Sequence, residues 1–262
     1  MKIYSAGLDY YHEIEKAESG DTDAMIRVAF AILHGDKSEK LEPEEAERAI
    51  RYYKTAAEHG DKSAMLDLAA CYMNGRGVPR NVQESLKWYE RGWDPDNPGA
   101  CFCLGCINRY DYLEDLSEVP TADEERIRKA LGYFERGSEL ADSDCLYELG
   151  ELYLKGKGVQ KDERKAFALF VQAEDESDLE ILSSRILRVY LRLAECWHYG
   201  IGTKKDIEIA YDYICLFREE RRRREEAGEP EEDHIIERAE TEWIAINRDM
   251  DTALSEVCNG NV

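Results

Sequence analysis

The stretch at residues 64–78 decides the fold of this chain, and it reads Ala64-Met-Leu-Asp-Leu68-Ala69-Ala-Cys-Tyr72-Met-Asn-Gly75-Arg-Gly77-Val78. The same order of small, large and glycine positions returns at residues 145–159 as Cys145-Leu-Tyr-Glu-Leu149-Gly150-Glu-Leu-Tyr153-Leu-Lys-Gly156-Lys-Gly158-Val159. A third copy begins at Val189, and two weaker copies begin at Ala24 and Ala100. The chain is therefore an internal repeat, in which each unit must bury its apolar face against a neighbouring unit.

Each unit contains two predicted helices joined by a glycine turn. Ala64, Leu68 and Tyr72 are spaced by four residues, so they share one face of a helix. The Gly-x-Gly that follows supplies the positive backbone angle φ that ends a helix. Such turns are predicted at three pairs of glycines: Gly75 and Gly77, Gly156 and Gly158, and Gly200 and Gly202.

This pattern resembles the signature of the Sel1-like repeat family, a relative of the tetratricopeptide repeats. The resemblance is strong at residues 61–92 and 142–174, good at 187–214 and degenerate at 21–60 and 97–141. It implies an all-α fold, a right-handed α-α superhelix (solenoid) of helix-turn-helix repeats that binds other proteins. The family resemblance carries no information on which protein is bound.

The expected order of units follows from the positions of the repeats. We expect a leading partial repeat at 1–20, repeat 1 at 21–60, repeat 2 at 61–96, repeat 3 at 97–142 with an insertion at 110–125, repeat 4 at 143–178, repeat 5 at 179–227 with an extended charged helix, and a C-terminal capping helix at 228–262.

An apolar seam marks the predicted C-terminal helix, with residues spaced by three and four. Its main members are Ile236, Trp243, Ile246 and Met250. A solenoid must cover the exposed face of its last unit, which favours a cap that folds back onto repeat 5. The alternative is a seam that pairs with a second copy, so both a monomer and a homodimer stay open.

Composition limits the classes of partner. The sequence has 57 acidic and 35 basic residues and a formal net charge of −22, which argues against nucleic acid and anionic membranes because their phosphates would be repelled. A basic protein or peptide would be attracted. The sequence has no apolar run of about 20 residues and no apolar signal-peptide core at its start, so we expect a cytoplasmic protein.

The eight cysteines lack the regular spacing of disulfide-stapled repeats, and we expect them to be reduced thiols, most of them buried. Cys101, Cys103 and Cys106 form the one cluster that resembles a metal site, yet no second Cys or His pair follows nearby. We therefore predict neither a metal nor another cofactor. No nucleophile or His-Glu-x-x-His motif is present, so no catalytic residue is predicted.

The first helix of each hairpin is expected to line the inside of a curved array, as in tetratricopeptide proteins. The residues predicted to bind a partner there are Met73, Phe102, Arg109, Tyr110, Tyr147, Glu151, Lys155, His198 and Tyr199. An alternative is that the apolar residues of this lining pack on one another.

The predicted function is a protein-interaction scaffold or adaptor that holds a peptide or protein in this concave groove. Two alternatives remain: an enzyme or enzyme-regulatory subunit that uses the groove as a substrate site, and a homo-oligomerisation module that uses the C-terminal helix.

Overall fold

The structure is a computed structural model that describes residues 10–34, 41–109, 124–177, 185–228 and 233–258. In these ranges the chain forms α-helices joined by turns and has no β-strand, which confirms the all-α fold class. Tyr110 and most of the insertion predicted at 110–125 lie outside the described residues. The chain divides into two compact units, Met1–Arg126 and Ile127–Val262.

Unit 1 contains six described helices. They are α1 (Tyr10–Glu18), α2 (Thr22–His34), α3 (Pro43–Glu58), α4 (Lys62–Asn74), α5 (Val82–Arg91) and α6 (Pro98–Arg109). Each packs on its neighbours in sequence, and α2 with α3 and α4 with α5 form the two complete hairpins. The ring of Tyr53 and the side chain of Leu68 are fully buried among alanines such as Ala56 and Ala57. The large and small residues of the repeat therefore interlock in the core of this unit.

The described part of unit 2 also contains six helices, the first of which starts just before the unit boundary. They are α7 (Glu124–Glu139), α8 (Ser143–Lys155), α9 (Glu163–Asp175), α10 (Ile186–Tyr199), α11 (Ile207–Glu226) and α12 (Asp233–Cys258). The hairpins are α8 with α9 and α10 with α11, and α12 packs on both α10 and α11. Phe170 and Phe217 are buried in this core.

Short polar and glycine signals set the ends of the helices. The Asp142 carboxylate accepts a hydrogen bond of 2.8 Å from the backbone N–H of Cys145 and so caps the start of α8. Gly156 ends α8 in the left-handed region at φ +64, which a residue with a Cβ rarely adopts. The other five predicted turn glycines, Gly75, Gly77, Gly158, Gly200 and Gly202, also have positive φ.

The C-terminal helix α12 caps the last hairpin, but its buried face is rotated by about one residue from the predicted seam. Ile246 is fully buried, as the seam requires, whereas Ile236, Trp243 and Met250 are only half-buried. Ile235 and Glu242 are buried in their place, because Glu242 bonds to polar side chains of α10. Trp243 stacks instead on Tyr211 of α11, with ring centroids 5.3 Å apart.

The described helices include none that is long and apolar enough to cross a membrane.

Candidate partner-binding faces

The first helices of the hairpins carry the positions that were expected to line a groove. In unit 1, Leu33 and Cys106 at these positions are buried, whereas five other apolar side chains are exposed or half-buried. We call this set the first-helix face of unit 1, and it consists of Ile26 and Phe30 on α2, Leu66 and Met73 on α4, and Phe102 on α6. Phe30 is its most exposed member, with 53% of its surface open to solvent.

Phe30 forms an aromatic stack with His34, one helical turn further along α2. The ring centroids are 4.4 Å apart and the planes differ by 18°. Burial lowers the pKa of His34 below its usual value, and the positive charge of Arg76 lowers it further. The imidazole is therefore neutral at pH 7, and the two rings present one uncharged aromatic surface.

Asp67 of α4, in the second hairpin of the unit, lies close enough to this stack to interact with His34. Its charge acts on His34, and its carboxylate interacts with the hydroxyl of Tyr53 on α3. Burial raises the pKa of Asp67, and the nearby Tyr53 hydroxyl only partly offsets that rise. The C-terminal end of α2 and the middle of α4 thus lie side by side, so that their outward residues belong to one surface.

The residues predicted in unit 1 have intermediate exposure. Met73 and Phe102 are half-buried members of the first-helix face, and Arg109, also half-buried, is the last residue of α6. Tyr110 lies outside the described residues.

In unit 2 most of the predicted binding residues are interior, which corrects the expectation that their polarity keeps them accessible. Tyr147 is 6% exposed and packs its ring 5.7 Å from that of Phe170. Glu151 is 3% and His198 only 1% exposed. Lys155 and Tyr199 do reach solvent, and Tyr199 is 57% exposed. The buried polar groups are tolerated because side chains from other helices pair with them.

The pairing takes the form of a charge ladder across three helices, made of Lys155, Glu151, Arg192, Glu195 and Arg238. On α8, Lys155 lies 2.6 Å from Glu151, and Glu151 in turn lies 2.5 Å from Arg192 of α10. Arg192 also lies 2.6 Å from Glu195, which accepts a 2.6 Å hydrogen bond from Arg238 Nε of α12. Burial alone would lower the pKa of Arg192, but Glu151 and Glu195 hold it above its usual value.

A second polar cluster, which we call the α12 latch, joins the end of α10 to α12 and consists of His198, Tyr199, Lys205, Glu242 and Asp249. His198 Nδ1 is 2.6 Å from Glu242 and Nε2 is 3.2 Å from Asp249. The Tyr199 hydroxyl donates to Glu242 at 3.0 Å, and Lys205 Nζ donates to Asp249 at 3.3 Å.

The latch also changes the acidity of its members. Burial raises the pKa of Tyr199 to about 12, and the Glu242 carboxylate adds to that rise. The hydrogen bonds from His198 and Lys205 lower the pKa of Asp249. Tyr199 is protonated and Asp249 ionised at neutral pH, which are the forms that the latch needs, and both shifts widen the pH range over which these forms persist.

The His198 cluster has groups used in acid–base catalysis, but its geometry is that of a structural contact. Carboxylates face both ring nitrogens, and the ring is almost fully buried, so a substrate atom has no path to either nitrogen. Among the described residues, no group of three His, Cys, Asp or Glu side chains is placed to hold a metal. Of the seven cysteines whose side chains the structure describes, five are buried and none forms a disulfide.

Sequence reasoning missed the polar residues of α12 that complete these clusters. Arg238, Glu242 and Asp249 follow one another at intervals of four and seven residues, so they share a helical face. That spacing was the available signal. The predicted seam was defined by apolar residues alone, and it therefore did not include these polar positions.

Tandem hairpins with interlocking large and small residues define an α-helical repeat protein. The chain belongs to the Sel1 repeat family, whose model matches residues 22–61, 62–92, 117–142, 143–178 and 188–216. Among curated proteins it is similar to chitin synthase regulatory factor 2 of Schizosaccharomyces pombe, with 28% identity over 205 residues. The match covers 75% of this chain and 36% of that protein, so the chain spans little more than a third of the relative's length.

Two solved structures share the fold. One is a protective antigen of uropathogenic Escherichia coli with an SLR fold, at a TM-score of 0.64 and 23% identity, covering 90% of this chain and 48% of the antigen. The other is a Sel1 repeat protein from Oxalobacter formigenes, at a TM-score of 0.59 and 21% identity, covering 81% of this chain and 84% of that one. At these identities the likeness shows the fold alone.

Proposed function

We propose that this chain is a non-catalytic adaptor that holds a protein partner on the first-helix face of unit 1. The observation that carries the proposal is the exposed stack of Phe30 and His34 beside α4. A large exposed ring next to half-buried apolar side chains is typical of an anchor position in a protein interface.

The chemistry of the face favours an amphipathic helix or peptide with apolar anchors and basic flanks. The anchors would pack on Phe30 and on Ile26 and Met73 of the same face, which are already partly shielded from water. The net charge of −22 attracts basic side chains and speeds their approach. The name of the relative from Schizosaccharomyces pombe, a regulatory factor, supports a role exerted through another protein.

Peptide binding to single-residue variants tests the proposal. The probe is a fluorescent amphipathic peptide of leucine and lysine of about 14 residues, roughly four helical turns. We expect fluorescence anisotropy to show binding to the unaltered chain and about a tenfold weaker affinity for Phe30→Ala, since an interface anchor contributes at least that much.

Two controls separate a specific face from general attraction to an acidic protein. Tyr11→Ala removes another exposed aromatic ring, on α1, and should leave the affinity unchanged. A peptide of the same composition with its leucines scattered around the helix should bind weakly. Equal binding to the Phe30→Ala and Tyr11→Ala variants would refute the proposed face.

We also propose a cytoplasmic location and no cofactor. The location is supported by the seven cysteines whose side chains are described, none of which forms a disulfide.

A further inference from the structure

Helix α12 lies on the part of α10 that corresponds to the first-helix face of unit 1. Counted from the start of each repeat, Glu195 and Tyr199 of α10 occupy the positions of Phe30 and His34 in α2. Both α10 residues are bonded to α12, Glu195 to Arg238 and Tyr199 to Glu242. The last hairpin thus carries a helix from its own chain where unit 1 presents an open face.

The contact between α10 and α12 contains polar side chains that are buried. It includes the bonds of Glu195 to Arg238 and of His198 to Glu242 and Asp249. Among residues 234–253 of α12, the fully or nearly fully buried apolar residues are Ile235, Ala239 and Ile246, a modest set for about five helical turns. Interfaces that form and separate are more polar than permanent ones, because charged groups can return to water.

We propose that α12 is a self-supplied ligand of the α10 face and that a partner helix with the same polar arrangement replaces it. The partner helix would carry an arginine, a carboxylate four residues later and a second carboxylate seven residues after that, as Arg238, Glu242 and Asp249 do. Apolar residues would take the places of Ile235, Ala239 and Ile246. This inference goes beyond the adaptor proposal, since it concerns another unit and a partner chosen by its carboxylates.

The arrangement selects its ligand through three separate requirements. Glu195 is buried and is paired with Arg192 of its own helix, and an arginine on the ligand supplies the second cation beside its carboxylate. The two ring nitrogens of His198 face two carboxylates that lie two helical turns apart on α12, Glu242 and Asp249. Lys205 adds a cation beside the second carboxylate. A helix that lacks one of the two carboxylates leaves a nitrogen of the buried His198 ring without its partner.

Alongside these contacts, α12 is held by α11, where the Arg218 guanidinium lies 4.2 Å from the centre of the Trp243 ring. A competing helix must therefore displace α12 from both α10 and α11. Weakening α12 in the chain while leaving α10 intact should make that displacement easier.

The test uses the full chain and a fluorescent synthetic peptide of residues 233–253. In one variant, Glu242→Ala and Ile246→Ala together weaken the chain's own α12 but leave Glu195, His198 and Tyr199 unaltered. We expect this variant to bind the unaltered peptide at least about tenfold more tightly than the unaltered chain does, because the internal competitor is weakened. Ile244→Ala, which alters an exposed residue of α12, is the matched control and should change nothing.

Specificity is tested by removing one member of the latch from either side. Adding His198→Ala to the weakened variant, or using a peptide with Glu242→Ala, should reduce the affinity about tenfold or more. Equal binding in the presence and absence of these changes would overturn the proposal.

A measurement on the unaltered chain keeps the inference testable if the double variant does not fold. An excess of the peptide, made with heavy isotopes and without the fluorophore, should accelerate deuterium uptake in residues 233–253 of the chain. The isotopes separate the peptide from this segment of the chain by mass. Unchanged uptake at saturating peptide would overturn the proposal. Neither readout involves Phe30. A negative result here would therefore refute the α12 proposal and leave the proposed binding face of unit 1 untouched.

Discussion

Gly150 shows at the scale of a single residue why the repeat alternates large and small positions. A Cβ placed on Gly150 would lie 2.5 Å from Cε1 of Phe170, a ring that is fully buried in the hairpin of α8 and α9. The ring cannot move away without disturbing the core, because close-packed interiors leave little free volume. The small position is thus required by the ring opposite it.

We predict that Gly150→Ala destabilises the protein in spite of the better helix propensity of alanine. Overpacking costs about 1–3 kcal/mol, whereas the gain in propensity is at most about 1 kcal/mol. The melting temperature measured by circular dichroism should fall by several degrees.

Gly132 of α7 is the matched control, since it is also helical and a Cβ there would meet nothing within 4 Å. Gly132→Ala should therefore stabilise the protein by about 0.5–1 kcal/mol. An unchanged or higher melting temperature for Gly150→Ala would contradict the packing argument.

At the scale of helices, the sequence predicted the repeats well because their signals are local. Glycine turns, aspartate caps and residues spaced by four all lie within one hairpin. The accessibility of Glu151 and His198 could not be predicted in the same way. Each is buried only because partners far along the chain pair with it, Arg192 for Glu151 and Glu242 for His198. Polarity alone suggests exposure, and only the folded structure supplies the missing partner.

The latch gives α12 a pH dependence whose sign follows from Asp249. His198 and Lys205 lower its pKa from the usual 3.8, and Arg248 lies 3.6 Å away on the same helix. A lowered pKa in the docked state means that the ionised carboxylate stabilises docking at pH values above 3.8, and that this contribution is lost as the pH falls through the lowered pKa.

We predict that docking of α12 weakens as the pH is lowered from about 5 to about 3, the range in which Asp carboxylates are protonated. Fluorotryptophan NMR can follow this, because the Trp243 signal reports contact with Tyr211 and Arg218. Asp249→Asn should weaken docking at neutral pH and reduce its dependence on pH in this range. The same pH dependence in Asp249→Asn as in the unaltered chain would rule out the assigned role.

At the scale of the whole molecule, charge acts in two opposing ways. The excess of acidic residues, which gives the net charge of −22, makes like charges repel one another across the exposed surface. In the charge ladder, opposite charges attract one another across buried contacts. Salt screens exposed charges more effectively than buried ones. Repulsion is therefore the term that salt removes first.

We predict that sodium chloride stabilises this protein. The melting temperature should rise between about 0.01 and 0.2 M salt, as the Debye length shrinks from about 30 Å to below 10 Å, and should then level off. A continued linear rise to molar salt would point to a general salt effect on apolar burial, and a fall would show that the attractive pairs dominate.

The central claim is that the first-helix face of unit 1 binds an amphipathic partner. Hydrogen–deuterium exchange of the unaltered chain with and without the leucine–lysine peptide tests it most directly, because it maps the bound surface without any substitution. We predict slower exchange in residues 22–34 and 62–74, the segments of α2 and α4. Protection confined to other segments, or no protection at peptide concentrations that saturate binding, would contradict the claim.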